Sequence, residues 1–200
     1  MSIFSPQCII MTHSEIEDIA TKILSLILII FILPILIFVY FLIVVFDGFP
    51  AIYKSKRLGL SNKEFVIYKF RTMSTDKEVS KRFITKLGKY LRRSSIDELP
   101  QLFNILFGLM NFVGPRPLPK ESYSTNKMER YRLLRLSVKP GLTGLSQINT
   151  SGRPRTMDEK LIYDLVYIKK KNLFLDICII IKTINTLFRR FNINKSGRTL

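Results

Sequence analysis

Histidine and cysteine are nearly missing from this chain. The one histidine, His13, lies in a polar N-terminal stretch, which argues against a His-based triad or a zinc site. Two cysteines, Cys8 and Cys178, cannot build a disulfide framework, which points to a reducing compartment. Acid is scarce as well: 15 Asp+Glu stand against 32 Lys+Arg, a formal net charge of +17. Two hundred residues suffice for one domain with a real core. Hydrophobic residues nevertheless make up 47% of the chain. A chain both apolar and basic suits an anionic membrane surface, an anionic ligand, or both, with nucleic acid as the competing partner.

One apolar run is long. Ile23 to Phe46 carries no charge and has Pro34 near its middle. It reads as a membrane segment, too long for a signal-peptide core and without a small-residue cleavage site. Roughly twenty Leu, Ile, Phe and Val side chains at about −0.3 to −0.6 kcal/mol each outweigh one proline at about 3 kcal/mol. Eleven of its residues precede Pro34 and twelve follow. Each half, as helix, is about 17 Å long, about half of a ~30 Å hydrocarbon core. Length alone favours a straight crossing; a sharp bend at Pro34 returns the chain to the face it entered. Lys54, Lys56 and Arg57 just beyond the segment put the C-terminal body in the cytoplasm.

The chain divides into a leader (1–22), the membrane segment (23–46), a body (47–191) and a tail (192–200). Phe65 to Phe70 has strand propensity and pairs with 51–57 as a small hairpin. Residues 80–93 fit an amphipathic helix with Phe83, Ile84, Leu87 and Leu91 on one face. That helix either lies in the headgroup plane or packs on the core with a solvated basic face. Leu99 to Met110 and Glu121 to Leu136 fit two further helices, and Met157 to Tyr167 another. Leu173 to Arg190 is apolar, but Asp176 and Lys182 make it a buried or surface-lying helix rather than a second span.

The chemistry concentrates in Arg92-Arg93-Ser94-Ser95-Ile96-Asp97-Glu98-Leu99-Pro100 and, some fifteen residues on, Val113-Gly114-Pro115-Arg116-Pro117. Two structural readings compete for the first. Ser95 and Glu98 match a capping box, or Asp97 is an N-cap with Pro100 in the first turn. The functional reading is that a helix end presents both carboxylates to one ligand. An acidic pair there repels phosphate unless a divalent cation and arginines compensate, and Arg92 and Arg116 are placed to do so. The expected chemistry is phosphoryl transfer with an aspartate nucleophile and Mg²⁺ on a hard oxygen ligand.

Ser95-Ile96-Asp97-Glu98-Leu99-Pro100-Gln101-Leu102-Phe103-Asn104 followed by Val113-Gly114-Pro115-Arg116-Pro117 resembles the bacterial sugar transferases, monotopic phosphoglycosyl transferases acting on polyprenyl phosphate. Further marks occur in order: Arg57-Leu58-Gly59, Tyr68-Lys69-Phe70-Arg71-Thr72-Met73, and Pro140-Gly141-Leu142-Thr143-Gly144 with Gln147. Asp164, Tyr167, Asp176, Lys182 and Thr183 complete them, and the short length resembles the minimal members.

The resemblance implies a mainly α fold with a small β element, a re-entrant helix broken at Pro34, and interfacial amphipathic helices. It implies transfer of sugar-1-phosphate from a UDP-sugar to undecaprenyl phosphate, with UMP released and a phosphosugar held on Asp97. Glu98 would bind Mg²⁺. Arg92, Arg116, Lys63 and Arg71 would hold phosphate, although a structural ion pair competes for Arg71. Asp164, Asp176, Gln147 and Arg153 would support the site, with buried helix partners the competing role for the two aspartates. The implied setting is the cytoplasmic face of a bacterial inner membrane. Membrane lipids are partners, no nucleic acid is expected, and a homo-oligomer is compatible with it. Leu33 stands before Pro34 where some members have Ser, and Leu109-Met110-Asn111 replaces a usual Asp-Met-Ser. The competing function is a membrane-anchored basic module that binds anionic lipid or nucleic acid without catalysis. It gives no reason for Asp97-Glu98 between two arginines.

Overall fold

A computed structural model describes residues 13–76, 78–123, 131, 133–149 and 156–192. The longest element is α1 (His13–Asp47), followed by a hairpin of β1 (Ile52–Leu58) and β2 (Glu64–Phe70). Helix α2 (Lys86–Ser94) leads through a 3-10 turn, Ile96–Glu98, into α3 (Gln101–Leu106). Strands β3 (Asn111–Val113) and β4 (Gly141–Thr143) pair in parallel. Short α4 (Leu145–Ile148), α5 (Met157–Lys170) and α6 (Leu173–Asn192) complete the described chain. The mainly helical fold with a small β element is as expected, and the hairpin pairs Ile52 with Phe70 through to Leu58 with Glu64.

Helix α1 begins inside the expected leader and runs through Pro34 as one helix, about 52 Å long at 1.5 Å per residue. It is long and apolar enough to cross a membrane. Its inner face repeats at helical spacing: Ser25, Ile29, Leu36, Val39 and Ile43 are buried. Ile29 packs with Phe65, Ile67, Leu102 and Ile105, and Leu36, Val39 and Ile43 pack with Ala51, Phe70 and Leu91. Ser25 Oγ donates to the Leu102 carbonyl at 2.8 Å. The opposite face, including Ile27, Phe31, Phe38 and Val45, is exposed.

Both ends of α1 are tied to the body. Asp18 pairs with Lys22 at 2.9 Å and with Lys139, and Glu17 pairs with Lys171 at 3.3 Å. At the other end Arg71 Nη2 donates to the carbonyls of Asp47 and Gly48, each at 2.6 Å. These bonds satisfy acceptors that a helix C-terminus leaves without intrahelical partners.

Two helix expectations need correction. The helix drawn over 80–93 starts only at Lys86, because Thr85 caps it: Thr85 Oγ1 accepts from Gly88 N at 2.9 Å and donates to Asp47 at 2.8 Å. Phe83 and Ile84 precede the helix, and Ile84 instead bridges to Met73. Leu91 is buried and Leu87 packs beside it against α1, so the core-packed alternative is the one realised. The helix drawn over Leu99–Met110 is shorter, Gln101–Leu106. Residues 124–130 and 132 of the third expected helix, and all of the 150–155 loop with Arg153, lie outside the described residues. Helix α6 is surface-lying: Ile179 is buried in the body, while Phe174, Ile177, Ile181, Ile184 and Phe188 are exposed.

Candidate active site

Helix α2 sets the site's first wall by touching backbone. A Cβ on Gly88 would lie 2.2 Å from the Thr72 carbonyl oxygen, so only glycine allows this approach. One turn on, Arg92 Nε donates to Thr72 Oγ1 at 2.7 Å. Ser95 then adopts a left-handed conformation (φ 56°) and makes no side-chain cap bond. The chain turns sharply, and the next turn carries Asp97 inward.

Neither structural reading of the carboxylates holds. Asp97 is 9% exposed, and its Oδ1 is buried without a hydrogen-bond partner. Glu98 Oε1 accepts from Lys69 Nζ at 2.5 Å and from Arg116 Nη2 at 2.7 Å, rather than from a helix start. Burial pushes the Asp97 carboxyl up to about 6, helped by the charge of Glu98 and opposed by Lys69, Arg92 and Arg116. Burial acts to raise Glu98 too, but Arg116 and Lys69 outweigh it and hold Glu98 below the usual range. The two adjacent acids therefore differ in state: one is fixed as an anion between two cations, and the other has a buried oxygen free of bonds.

The Arg116 loop is fixed by close backbone packing. Gly114 N donates to the Thr143 carbonyl at 2.9 Å, and Gly141 N donates to that of Pro115 at 3.0 Å. A Cβ on Gly141 would lie 2.1 Å from Gly114 N. Behind the loop, Arg135 Nε donates to Asp164 Oδ2 at 2.8 Å, Nη1 to Tyr123 Oη at 3.0 Å, and Nη2 to the Arg116 carbonyl at 2.8 Å. The side chains of Arg135 and Asp164 are 4% and 2% exposed. Burial raises the Asp164 carboxyl, while Arg135 and Ser146 pull it back.

These groups border an open cavity of ≈ 1530 Å³. Its polar lining includes Arg71, Arg92, Asp97, Glu98, Arg116 and Gln147, and its apolar lining includes Leu24 and Leu28 of α1 and Ile180, Ile184 and Leu187 of α6. One cavity thus joins a charged floor to the two helices with exposed apolar faces.

Of the expected site residues, Asp97, Glu98, Arg92 and Arg116 come together, with Gln147 on the same cavity. Arg71 caps the end of α1 through backbone carbonyls rather than through the ion pair that competed for it, and its Nε and Nη1 are buried without partners. Asp164 sits beneath the Arg116 loop. Asp176 accepts from Tyr167 Oη at 2.9 Å, which also donates to the Val113 carbonyl at 3.2 Å, joining α6 to α5 and β3. Lys63 is exposed beside the hairpin turn and does not line the cavity. The lysine that reaches Glu98 is Lys69, near the far end of the strand that follows Lys63. Strand period two would have found it: Phe65, Ile67 and Lys69 share a face, and the first two are buried. Arg135 was also missed, and no local pattern marks it.

Among the described residues, no group of three His, Cys, Asp or Glu gathers as a metal-binding cluster. A Mg²⁺ site built on one or two carboxylates plus substrate phosphate needs no such cluster. The Asp97–Glu98 pair, with Asp97 Oδ1 bare and Glu98 Oε2 outside the bonds to Lys69 and Arg116, fits that donor set.

A sequence model described as bacterial sugar transferase matches residues 12–190. A UDP-glucose:undecaprenyl-phosphate glucose-1-phosphate transferase of Klebsiella pneumoniae is 38% identical over 205 aligned residues, covering 94% of this chain and 42% of the relative. An undecaprenyl-phosphate galactose phosphotransferase of Salmonella typhimurium is 36% identical, covering 83% and 39%. The uncharacterized sugar transferase EpsL of Bacillus subtilis is 39% identical over 144 residues, covering 68% of this chain and 69% of its own length. The chain spans less than half the length of the first two relatives.

Proposed function

The chain belongs to the bacterial sugar transferase family, and on that premise we propose that it moves a sugar-1-phosphate from a UDP-sugar to undecaprenyl or a related polyprenyl phosphate. The relatives' names carry the substrate class. The observation that carries the chemistry is Asp97: a buried carboxylate oxygen without a partner, on a cavity lined by Arg92 and Arg116.

In the first half-reaction an Asp97 oxygen attacks the donor phosphorus that bears the sugar. The anhydride bond to the second phosphorus breaks, and UMP leaves with the bonding electrons. In the second, an oxygen of the lipid phosphate attacks the same phosphorus. The acyl phosphate bond breaks, Asp97 returns as a carboxylate, and polyprenyl diphosphate sugar departs. A covalent intermediate lets a water-soluble donor and a lipid acceptor use one site in turn. Arg92 and Arg116, held by Thr72 and by the loop beneath them, neutralise phosphoryl oxygens without rearranging during reaction. Glu98, with Asp97 beside it, would hold Mg²⁺, which when bound supplies further charge neutralisation on the donor's phosphates. Lys69 keeps Glu98 ionised for that role.

The packing of α1 favours a path that stays on one face of the membrane over a straight crossing; α1 is one helix through Pro34 rather than broken there, so a re-entrant path requires it to bend without breaking. The body touches the helix from Glu17 and Asp18 to Asp47, with the hairpin and α3 between. A straight crossing would put those charged contacts on opposite sides of the bilayer and the hairpin in hydrocarbon. Entry and exit by the cytoplasmic face keep all of them with the body. The exposed apolar faces of α1 and α6 then hold the cavity at headgroup depth.

The test is release of UMP from a panel of UDP-sugars with Mg²⁺, followed by intact-mass analysis of donor-treated protein. The expected result is one phosphosugar adduct, absent with release in Asp97→Asn. UMP release that survives in Asp97→Asn refutes the assignment.

A further inference from the structure

A second, much smaller cavity lies beside Glu98. It holds ≈ 30 Å³ and is lined by Arg57, Lys69, Gln101 and Arg116, with Ile67, Pro117, Gly141 and Leu142 as its remaining walls. Its chemistry is one-sided. Three cationic side chains border it, and no carboxylate does. Gln101 is 3% exposed, and its Nε2 is buried with no hydrogen-bond partner. Such a buried donor costs about 1–3 kcal/mol if it stays unpaired, so its position at this void is a reason to expect an acceptor there.

The sequence builds this arrangement through the hairpin register. Arg57 pairs with Phe65, and Lys69 pairs with Tyr53, so both cations sit on the strand face that also carries buried Phe65 and Ile67. Burial, and the like charge of Arg116, hold the Arg57 guanidinium below its usual range, against the opposing charges of Tyr53 and Glu121. Glu98 already pairs with Arg116, but Arg57 and Arg116 still repel each other in this half-buried setting, which a further anion between them relieves.

We propose that this void is a socket for one phosphoryl oxygen of the donor diphosphate, with Arg57 and Gln101 as binding residues alongside Arg116. The volume limits the guest: a void needs about 10–15 Å³ to hold one water-sized group, so ≈ 30 Å³ admits a phosphoryl oxygen and little more than one such group. The position decides the source. None of the socket's walls comes from α1 or α6, the helices with exposed apolar faces, so it faces the water-soluble substrate. A water molecule must donate as well as accept, whereas an anionic oxygen only accepts, which matches a wall of donors. Arg57, Lys69 and Arg116 also line the large cavity, so the two spaces adjoin through shared cationic side chains.

The proposal rests on the donor reading above, and binding measurements separate the two. Purified full-length protein in detergent is titrated calorimetrically with UDP, and separately with a short-chain polyprenyl phosphate. Arg57→Met and Gln101→Met should each weaken UDP binding at least tenfold and leave polyprenyl phosphate binding within twofold. Gln101→Glu keeps the side-chain shape and puts an anion in the socket; it should abolish UDP binding with the helical circular dichroism unchanged. UDP binding at wild-type strength in Arg57→Met and Gln101→Glu overturns the socket while leaving the donor reading intact. Equal losses for UDP and the lipid phosphate overturn its assignment to the donor. A wild-type protein that binds no UDP overturns the donor reading itself.

Discussion

The Arg135–Asp164 pair beneath the Arg116 loop makes an asymmetric prediction about stability and pH. Both side chains are almost fully buried, and they are 2.8 Å apart. Removing one partner of such a pair costs about 3–5 kcal/mol, out of about 5–15 kcal/mol for a whole domain. The two removals should behave differently. In Arg135→Met the stranded Asp164 escapes its penalty by taking up a proton. Protonation costs about 1.4 kcal/mol per pH unit above the unfolded value near ~3.9. The charge penalty is therefore capped at about 4 kcal/mol at pH 7 and about 1.5 kcal/mol at pH 5. The sign follows from burial. The folded carboxyl already lies above its ordinary value, and losing Arg135 raises it further. Its contribution is thus most favourable below the unfolded value and is lost as pH rises toward the folded one. In Asp164→Asn the stranded Arg135 cannot deprotonate, so its cost should hardly change between pH 5 and 7. Loss of the bonds to Tyr123 and the Arg116 carbonyl adds about 1–3 kcal/mol to Arg135→Met at either pH. Urea unfolding in detergent, followed by circular dichroism at both pH values, reads each difference from wild type. A destabilisation by Arg135→Met that does not shrink by at least ~1 kcal/mol at pH 5 would refute the claim that a lone buried carboxylate sets it.

Gly88→Ala should gain up to about 1 kcal/mol of helix propensity and lose more than that to the Thr72 carbonyl, which a Cβ would meet at 2.2 Å. The melting temperature should fall, and UMP release should drop at least about tenfold as Arg92 leaves Thr72; wild-type values for both would mean that α2 does not set the Arg92 wall. For the path of α1, a membrane-impermeant maleimide applied to intact cells carrying the Cys178→Ser variant should leave Cys8 unlabelled until the cells are opened. Labelling from outside would mean that α1 crosses.

The hairpin was legible because alternation and turn chemistry are local, and α1 because a run of apolar residues is as long as a membrane is thick. Helix boundaries were less legible. Helix α2 starts only after Thr85, leaving Phe83 and Ile84 outside it, because the Thr85 hydroxyl caps the helix and reaches Asp47, 38 positions back. Apolar periodicity does not record such a partner. The carboxylates were ambiguous for a related reason: Ser95-Ile96-Asp97-Glu98 satisfies the sequence rule for a capping box, and only the left-handed Ser95 and the capture of Glu98 by Lys69 set it aside.

By itself the sequence determined which charged residues gather at the candidate site. Asp97, Glu98, Arg92 and Arg116 lie within a short stretch of chain, so a few turns keep them close in almost any fold of that segment. Tertiary structure decided which distant groups complete the site. Lys69 rather than Lys63 reaches Glu98, because strand register and not chain proximity aims a side chain. Arg135 steadies Arg116 across 19 positions, and Arg57 and Gln101 border one void only because β2, paired with β1, packs against α3. Each of these depends on elements packing against one another, and packing is a property of surfaces that no single stretch of sequence contains.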